Sequence, residues 1–259
     1  MATLREIFTN IANAIRGKTS GIDTMTPEQM PTEINSIATI KNLLDSTKST
    51  SYLFNNFKGE TVDNLIKYND TENVTDANHM FYNCSYLQTV PLLNTSNITS
   101  MNYMFSGCNI LQTIPPLDTS NAQNLAYMFY LCENLQTIPP LDTSSVTYMT
   151  YMFNNCYKLQ KIDITVFVNN SARNASFAAK CYSLTTLIIR TMDVIPALNT
   201  SAFSKCYHFT GTTDATYNPD GLKDGRIYVP DDKVEELKLA TNWSVYADII
   251  VPLSTLVEE

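Results

Sequence analysis

Residues 80–151 consist of three consecutive 24-residue units, MFYNCSYLQTVPLLNTSNITSMNY (80–103), MFSGCNILQTIPPLDTSNAQNLAY (104–127) and MFYLCENLQTIPPLDTSSVTYMTY (128–151). A fourth unit keeps only the first half of the pattern, and two partial units follow; these three begin at Met152, Phe177 and Phe203. Upstream, residues 52–57 (YLFNNF) match the start of a unit with Phe57 in place of the cysteine, so a divergent 27-residue repeat opens the array. Units this short cannot enclose a core of their own, which predicts that they stack on one another.

Each unit carries the signals of one short strand and one short helix. Residues 111–114 (LQTI) favour a strand, which the following Pro115 and Pro116 end because proline has no N–H donor. Residues 118–121 (DTSN) favour a turn or a helix cap. A short helix is predicted by apolar residues at i, i+3, i+4 and i+7, which are Leu125, Met128, Phe129 and Cys132.

These signals predict an α/β solenoid. We expect a leucine-rich-repeat-like array of about 24-residue repeats, each with one short strand and one short helix. An N-terminal helical segment and a C-terminal cap would flank the array. Successive strands would lie about 4.8 Å apart.

The cysteines share one position of the repeat, at Cys84, Cys108, Cys132, Cys156, Cys181 and Cys206. Zinc sites use pairs of ligands two to four residues apart, which this spacing does not provide. Equivalent residues of stacked units point in parallel, which is poor geometry for a disulfide. We therefore expect a row of buried thiols that act as small apolar side chains, with no metal and no cofactor.

The unit MF-x-x-C-x-x-LQTIPPLDTS followed by a tyrosine resembles the BspA-type leucine-rich repeats of bacterial surface proteins and of phages of Gram-positive bacteria. This resemblance covers about residues 52–210 and implies a scaffold for binding. Residues 11–37 (IANAIRGKTSGIDTMTPEQMPTEINSI) resemble a short module near the ends of phage tail-fibre and baseplate proteins, and residues 228–256 resemble a segment that follows such repeats.

The chain divides into four predicted parts: a two-helix attachment segment (1–40), a linker (41–51), the leucine-rich-repeat solenoid (52–222) and a strand-helix cap (223–259). The two attachment helices would dock on other virion tail or baseplate proteins through their apolar faces, which carry Leu4, Ile7, Phe8, Ile11 and Ile15 on the first and Met30, Ile34 and Ile37 on the second. An ordinary helical N-cap of the solenoid is the alternative interpretation of this segment.

The sequence offers little for catalysis. Cys206 and His208 are two residues apart and would not face each other on a helix. Asp118 and Asp142 are carboxylates of neighbouring units that could mimic a glycosidase pair, but each lies in a turn where backbone N–H groups would bind it. We therefore expect no enzyme and no catalytic residue.

Charge and composition exclude some classes of binding partner. A formal net charge of −8 argues against nucleic acid, and no apolar run approaches the length of a membrane span. Residues 1–7 (MATLREI) do not resemble the start of a signal peptide, which leads us to expect synthesis in the host cytoplasm without export. The polar surface must consist largely of Asn, Ser, Thr, Gln and Tyr.

Repeated uncharged side chains are therefore the candidate binding residues, namely Gln88, Gln112, Gln136, Gln160, Thr113, Thr137, Tyr103, Tyr127 and Tyr151. Amides, hydroxyls and aromatic rings suit a glycan or protein on a host cell. We expect a non-enzymatic virion protein of a phage tail tip, baseplate or fibre that recognises its host, with a homo-oligomer as one possible state. A bacterial surface adhesin or interaction protein and a purely architectural virion component are the alternatives. Ordinary solvent-facing strand residues and tyrosines packed between units are the simpler interpretation of the same pattern.

Overall fold

A computed structural model describes residues 48–62, 66 and 68–257. The predicted attachment segment lies outside the described residues, together with its docking side chains Leu4, Ile7, Phe8, Ile11, Ile15, Met30, Ile34 and Ile37. Of the predicted linker, only residues 48–51 are described.

Successive repeats are joined by backbone hydrogen bonds. One parallel β-bridge links each repeat to the next, in the series Ser49, Asp76, Ser100, Asn124 and Tyr148. A few residues further along, the N–H of Phe105 donates to the carbonyl of Met128 at 2.9 Å, and the N–H of Phe129 donates to that of Met152 at 2.9 Å. The side chains follow the same order, since the rings of Phe54, Phe81, Phe105, Phe129 and Phe153 stack with centroids 5.3–5.6 Å apart. This arrangement is consistent with a repeat solenoid.

The short helix predicted at Leu125–Cys132 is wrong. This segment is a run of tight turns, in which Met128 N–H donates to the Leu125 carbonyl and Cys132 N–H donates to the Phe129 carbonyl. Tyr127 and Leu131 have φ of 58° and 61°. An α-helix needs right-handed φ at every residue, so two left-handed residues four positions apart exclude it. Two successive turns simply give apolar residues the same spacing.

The strand predicted at residues 111–114 is also wrong, because this segment forms no regular strand. Regular strands begin in the fourth repeat, with β1 at Lys161–Ile164 and β2 at Thr186–Ile189. At the positions of Pro139 and Pro140, β1 has Asp163 and Ile164, which can donate to a neighbouring strand. In the earlier repeats the prolines therefore remove backbone donors at positions where β1 pairs with β2.

The regular sheet has four parallel strands in the order β1-β2-β3-β4, with β3 at Arg226–Val229 and β4 at Ile250–Pro252. Lys161 pairs with Thr186, Leu187 with Ile227, and Ile227 with Ile250. The described helices are short. They are α1 (Tyr207–Thr210), α2 (Val234–Leu239) and the 3-10 helices Tyr68–Thr71, Asp231–Lys233, Ser244–Ile249 and Leu253–Thr255.

One apolar core runs through the described repeats and into the C-terminal residues. Trp243 is completely buried there, and its Nε1–H donates to the carbonyl of Pro196 at 2.7 Å. Its ring contacts Phe167 edge-on, with centroids 5.7 Å apart. β3 and α2 lie within the predicted strand-helix cap, but β3 is not the last strand as the sequence predicts, because β4 follows α2 and pairs with β3.

Candidate functional site

The four predicted glutamines form a row on the surface. We call Gln88, Gln112, Gln136 and Gln160 the glutamine row; all four are exposed, as are Thr113 and Thr137 beside them. Backbone bonds hold part of the row, since Gln136 N–H donates to the Gln112 carbonyl at 2.9 Å and Gln160 N–H to the Gln136 carbonyl at 3.2 Å. The structure thus brings these amides and hydroxyls together on one surface.

This surface is broader than a strand would make it. The sequence suggests that Gln112 alternates with an inward Leu111, but Gln112 and Thr113 are both exposed between the buried Leu111 and Ile114. A regular strand would turn one of two neighbouring side chains inward. Because the segment is irregular, each repeat presents an amide and a hydroxyl to solvent together.

The predicted tyrosines belong to a longer stack of rings. We call Tyr52, His79, Tyr103, Tyr127 and Tyr151 the tyrosine column; their neighbouring ring centroids are 4.4–4.9 Å apart and their planes differ by 5–11°. Tyr82 and Tyr130 pack against the column edge-on. Tyr52 and His79 are not among the predicted residues, although both occupy the column position of their repeats.

The stacking limits what these tyrosines offer a ligand. Each inner ring has both faces against its neighbours, so a sugar or side chain can reach only ring edges and hydroxyls. Tyr103 and Tyr127 are half-buried, and burial raises the pKa of both phenols above its usual value. Tyr103, Tyr127 and Tyr151 therefore support the surface more than they supply flat binding faces.

A second tyrosine column follows the first. Tyr157, Tyr182 and Tyr207 stack with centroids 4.9 and 5.1 Å apart, and Tyr217 leans on Tyr182. Each of the three stacked residues directly follows a cysteine of the repeat. This column was not predicted, although the shared position after the cysteine is visible in the sequence.

The thiols lie inside the molecule, as predicted. All six cysteines are free and buried, and each Sγ–H donates to a carbonyl of the preceding repeat; for Cys132 the acceptor is Phe105, at 3.1 Å. The other donors follow the same pattern, at 2.9–3.2 Å. Burial raises the pKa of Cys132 far above that of a free thiol, which makes it a poor nucleophile. The thiols stabilise the stack of repeats.

The carboxylates of neighbouring repeats have a structural role in the Asp-Thr-Ser turns. Asp118 and Asp142 accept the backbone N–H groups of Ser120 and Ser144 at 3.1 and 2.9 Å. Hydrogen bonds from Ser144 hold the pKa of Asp142 below its usual value, so this carboxylate is not a proton donor near neutral pH. Thr119 and Thr143, which lie between the Asp and the Ser of each turn, are buried, and the hydroxyl of Thr119 donates to the backbone carbonyl of Asp142 at 2.8 Å.

Cys206 and His208 do not form a dyad. The thiol of Cys206 donates to the Ala178 carbonyl at 3.0 Å, while Nδ1 of His208 lies 2.7 Å from the carboxylate of Asp224. In residues 48–62, 66 and 68–257, no three His, Cys, Asp or Glu side chains cluster to hold a metal ion. None of the helices in the described part of the chain has the length and apolar character needed to cross a bilayer.

Stacked turns, parallel bridges and rows of equivalent side chains are compatible with a repeat protein. Residues 48–167 match a family model described as "Mycoplasma protein of unknown function, DUF285", a family associated with BspA-like repeat proteins. No curated protein matches the chain. The match ends at Phe167, so the regular strands β2 to β4 lie beyond it.

Proposed function

We propose that residues 52–222 form a leucine-rich-repeat-like solenoid, closed by residues 223–259, that serves as a non-enzymatic scaffold for recognition. The observation that carries this proposal is the glutamine row. Uncharged amides and hydroxyls are exposed at equivalent positions of consecutive repeats, and backbone hydrogen bonds join the segments of Gln112, Gln136 and Gln160. Because the backbone of the repeats is already ordered, such an array loses mainly side-chain entropy when it binds a repeating partner.

The scaffold belongs, on this proposal, to the tail tip, baseplate or fibre of a phage. The support is the resemblance of residues 11–37 to a short module of tail-fibre and baseplate proteins; residues 228–256 resemble a segment that follows such repeats in both phage tail and bacterial surface proteins. The N-terminal residues would attach the chain to other tail proteins, and the repeats would contact a glycan or protein on the host cell.

A bacterial surface or interaction protein is the second candidate. It is favoured by the family that residues 48–167 match, because the description of that family names Mycoplasma, a cellular organism. Mass spectrometry of purified phage particles from the strain that carries the gene separates the two candidates. The tail proposal requires the chain in the particles, whereas its presence only in cell-surface fractions would support the bacterial candidate.

Recognition is tested by changing the charge of the glutamine row. The double variant Gln112→Glu, Gln136→Glu places two carboxylates on neighbouring repeats, where they repel each other. The substitutions also remove the N–H donors of both side-chain amides. We expect binding of the labelled full chain to intact host cells to weaken about tenfold or more, as for lost buried hydrogen bonds. Circular dichroism should stay unchanged because both positions are exposed.

Gln123→Glu is the matched control. Gln123 is an exposed glutamine outside the row, and only its backbone atoms make described hydrogen bonds, to Thr99 and from Thr147 and Tyr148. It should bind cells like the unaltered chain. Equal binding by the double variant would move the site away from the row, and no binding by any of the proteins would favour a purely architectural part.

A further inference from the structure

A cleft of about 380 Å³ lies where the 24-residue period breaks. The spacing of the cysteines changes from 24 to 25 residues after Cys156, and residues 166–176 (VFVNNSARNAS) no longer follow the Asp-Thr-Ser pattern of the earlier repeats. This segment lines the cleft together with Val146 and Thr147 of the third repeat and residues 191–194 of the fifth. We call this feature the repeat-break cleft.

The floor of the repeat-break cleft is apolar and its rim is polar. Phe167, Val168 and Met192 line it and are at least nine-tenths buried. Asn169 and Asn170 stand at the exposed rim. This combination suits a molecule with a flat apolar side and hydroxyl groups at its edge, as a sugar ring has.

The polar groups at the rim have donors and acceptors that no described hydrogen bond uses. The Oδ1 atoms of Asn169 and Asn170 accept the N–H groups of Ala197 and Ala172, but their Nδ2 groups have no acceptor in the described part of the chain. Thr147 and Thr191 use their hydroxyl protons on backbone carbonyls, which leaves their oxygens as acceptors. The cleft thus offers both donors and acceptors to sugar hydroxyls.

Arg173 gives the cleft a cation. Its guanidinium carbon lies 4.2 Å from the centre of the Tyr148 ring, which holds the plane of the group in place. Among the described arginines, Arg190 forms two bonds with Asp163 and Arg226 donates to backbone carbonyls, whereas no described group accepts a hydrogen bond from Arg173. A held, unpaired guanidinium is suited to bidentate binding of a carboxylate.

We propose that the repeat-break cleft binds an acidic saccharide, with the sugar carboxylate on Arg173 and the ring against the apolar lining, where Val194 is 64% exposed. This inference goes beyond the proposed recognition function, because the cleft is a site separate from the glutamine row. Asp193 also lines the cleft, so a dense polyanion would be repelled while a single carboxylate facing Arg173 would be accommodated. The carboxylate of Asp193 would accept hydroxyl protons of the sugar.

The test is calorimetric titration of the full chain with the methyl glycoside of galacturonic acid, which carries one carboxylate, and with the methyl ester of that sugar, which has the same ring but no charge. We expect the acid to bind and the ester to bind about tenfold more weakly or worse, as for the loss of a charge-assisted hydrogen-bond pair. Arg173→Gln should lower the affinity for the acid by a similar factor and leave the weak affinity for the ester unchanged.

Arg226→Gln is the matched control, because Arg226 is an exposed arginine outside the cleft. It should bind the acid like the unaltered chain. The proposal is overturned if acid and ester bind equally, if neither binds, if Arg173→Gln binds the acid unchanged, or if a triglutamate peptide binds as tightly as the saccharide. The Gln112→Glu, Gln136→Glu variant separates the two proposals: it should keep saccharide binding even where binding to cells is lost.

Discussion

In the divergent repeat and in the four repeats that follow it, two residues adopt left-handed backbone angles, four positions apart. The first is a member of the tyrosine column. The second is Asn56, Asn83, Gly107, Leu131 or Asn155, with φ between 57° and 77°. Asparagine and glycine tolerate this region, whereas a branched aliphatic residue there carries strain of about 1–3 kcal/mol.

Gly107 shows how demanding this second position can be. A Cβ built on it would lie 2.5 Å from Oδ1 of Asn83, the equivalent residue of the preceding repeat. Neighbouring repeats therefore approach closely here, and each side chain must fit the one before it. Leu131 is the residue whose type does not match the conformation.

We expect Leu131→Asn to stabilise the protein by about 1 kcal/mol, because asparagine relieves the strain of a left-handed leucine. Leu131 is only half-buried, so little apolar contact is lost. The measurement is the urea midpoint of unfolding followed by circular dichroism. Leu131→Ala is the control: it removes the same side chain without favouring left-handed φ, and it should not stabilise. Equal midpoints for both variants would contradict the strain argument.

At the scale of structural elements, the tyrosine column takes the place of a regular helix or strand. Its ring spacing of 4.4–4.9 Å matches the separation of hydrogen-bonded neighbouring segments, so the rings stack without displacing the backbone. Each aromatic contact contributes about 0.5–1.5 kcal/mol beyond area burial, which offsets the left-handed φ of each tyrosine. The column ends after Tyr151, where the next repeat has Ser176.

His79 makes this column sensitive to acid. It is stacked between Tyr52 and Tyr103, and its buried Nδ1 has no hydrogen-bond partner in the described part of the chain. Burial lowers the pKa of His79 below 6.5, with a smaller opposing effect of Asp76. Below pH 6.5 the unfolded chain therefore takes up a proton that the folded chain resists, and stability falls as the pH drops.

We expect His79→Tyr to be more stable than the unaltered chain at pH 5 and to lose less stability between pH 7.5 and pH 5, because tyrosine completes the column without titrating in this range. Urea midpoints at the two pH values measure this difference. His208→Gln removes the other histidine, which lies partly exposed beside Asp224, and it should keep the acid sensitivity of the unaltered chain. An unchanged pH dependence in His79→Tyr would show that His79 is not the titrating group.

At the scale of the whole molecule, features that recur in every repeat could be predicted from the sequence. The buried thiols are confirmed, as are the turns that bind Asp118 and Asp142. The predicted helix was wrong because the spacing of apolar residues does not reveal the sign of φ, and two successive turns give the same spacing as a helix. The predicted strand was wrong because β1 occupies the positions equivalent to residues 113–116, where Pro115 and Pro116 have no N–H to donate. The repeat-break cleft could not be predicted, since it forms where the pattern stops and three separate repeats meet.

The row of thiols makes the whole fold sensitive to alkali. Burial raises the pKa of Cys108, Cys132, Cys156 and Cys206, and that of Tyr246 to about 12. In an unfolded chain a thiol ionises near pH 8.5. Above that pH the unfolded state releases protons that the folded state retains, so the free energy of unfolding falls as the pH rises.

We expect the urea midpoint to be steady between pH 7 and 8 and to fall progressively from about pH 8.5 to 10.5, since each additional unfolded thiolate favours unfolding. Cys132→Ala, Cys156→Ala should weaken this dependence, while starting from lower stability at pH 7. Because thiols occur in six successive repeats, circular dichroism and the fluorescence of Trp243, the only tryptophan, should change together. A folded protein whose thiols react with Ellman's reagent at pH 8.5 would contradict the prediction, because such thiols would ionise without unfolding.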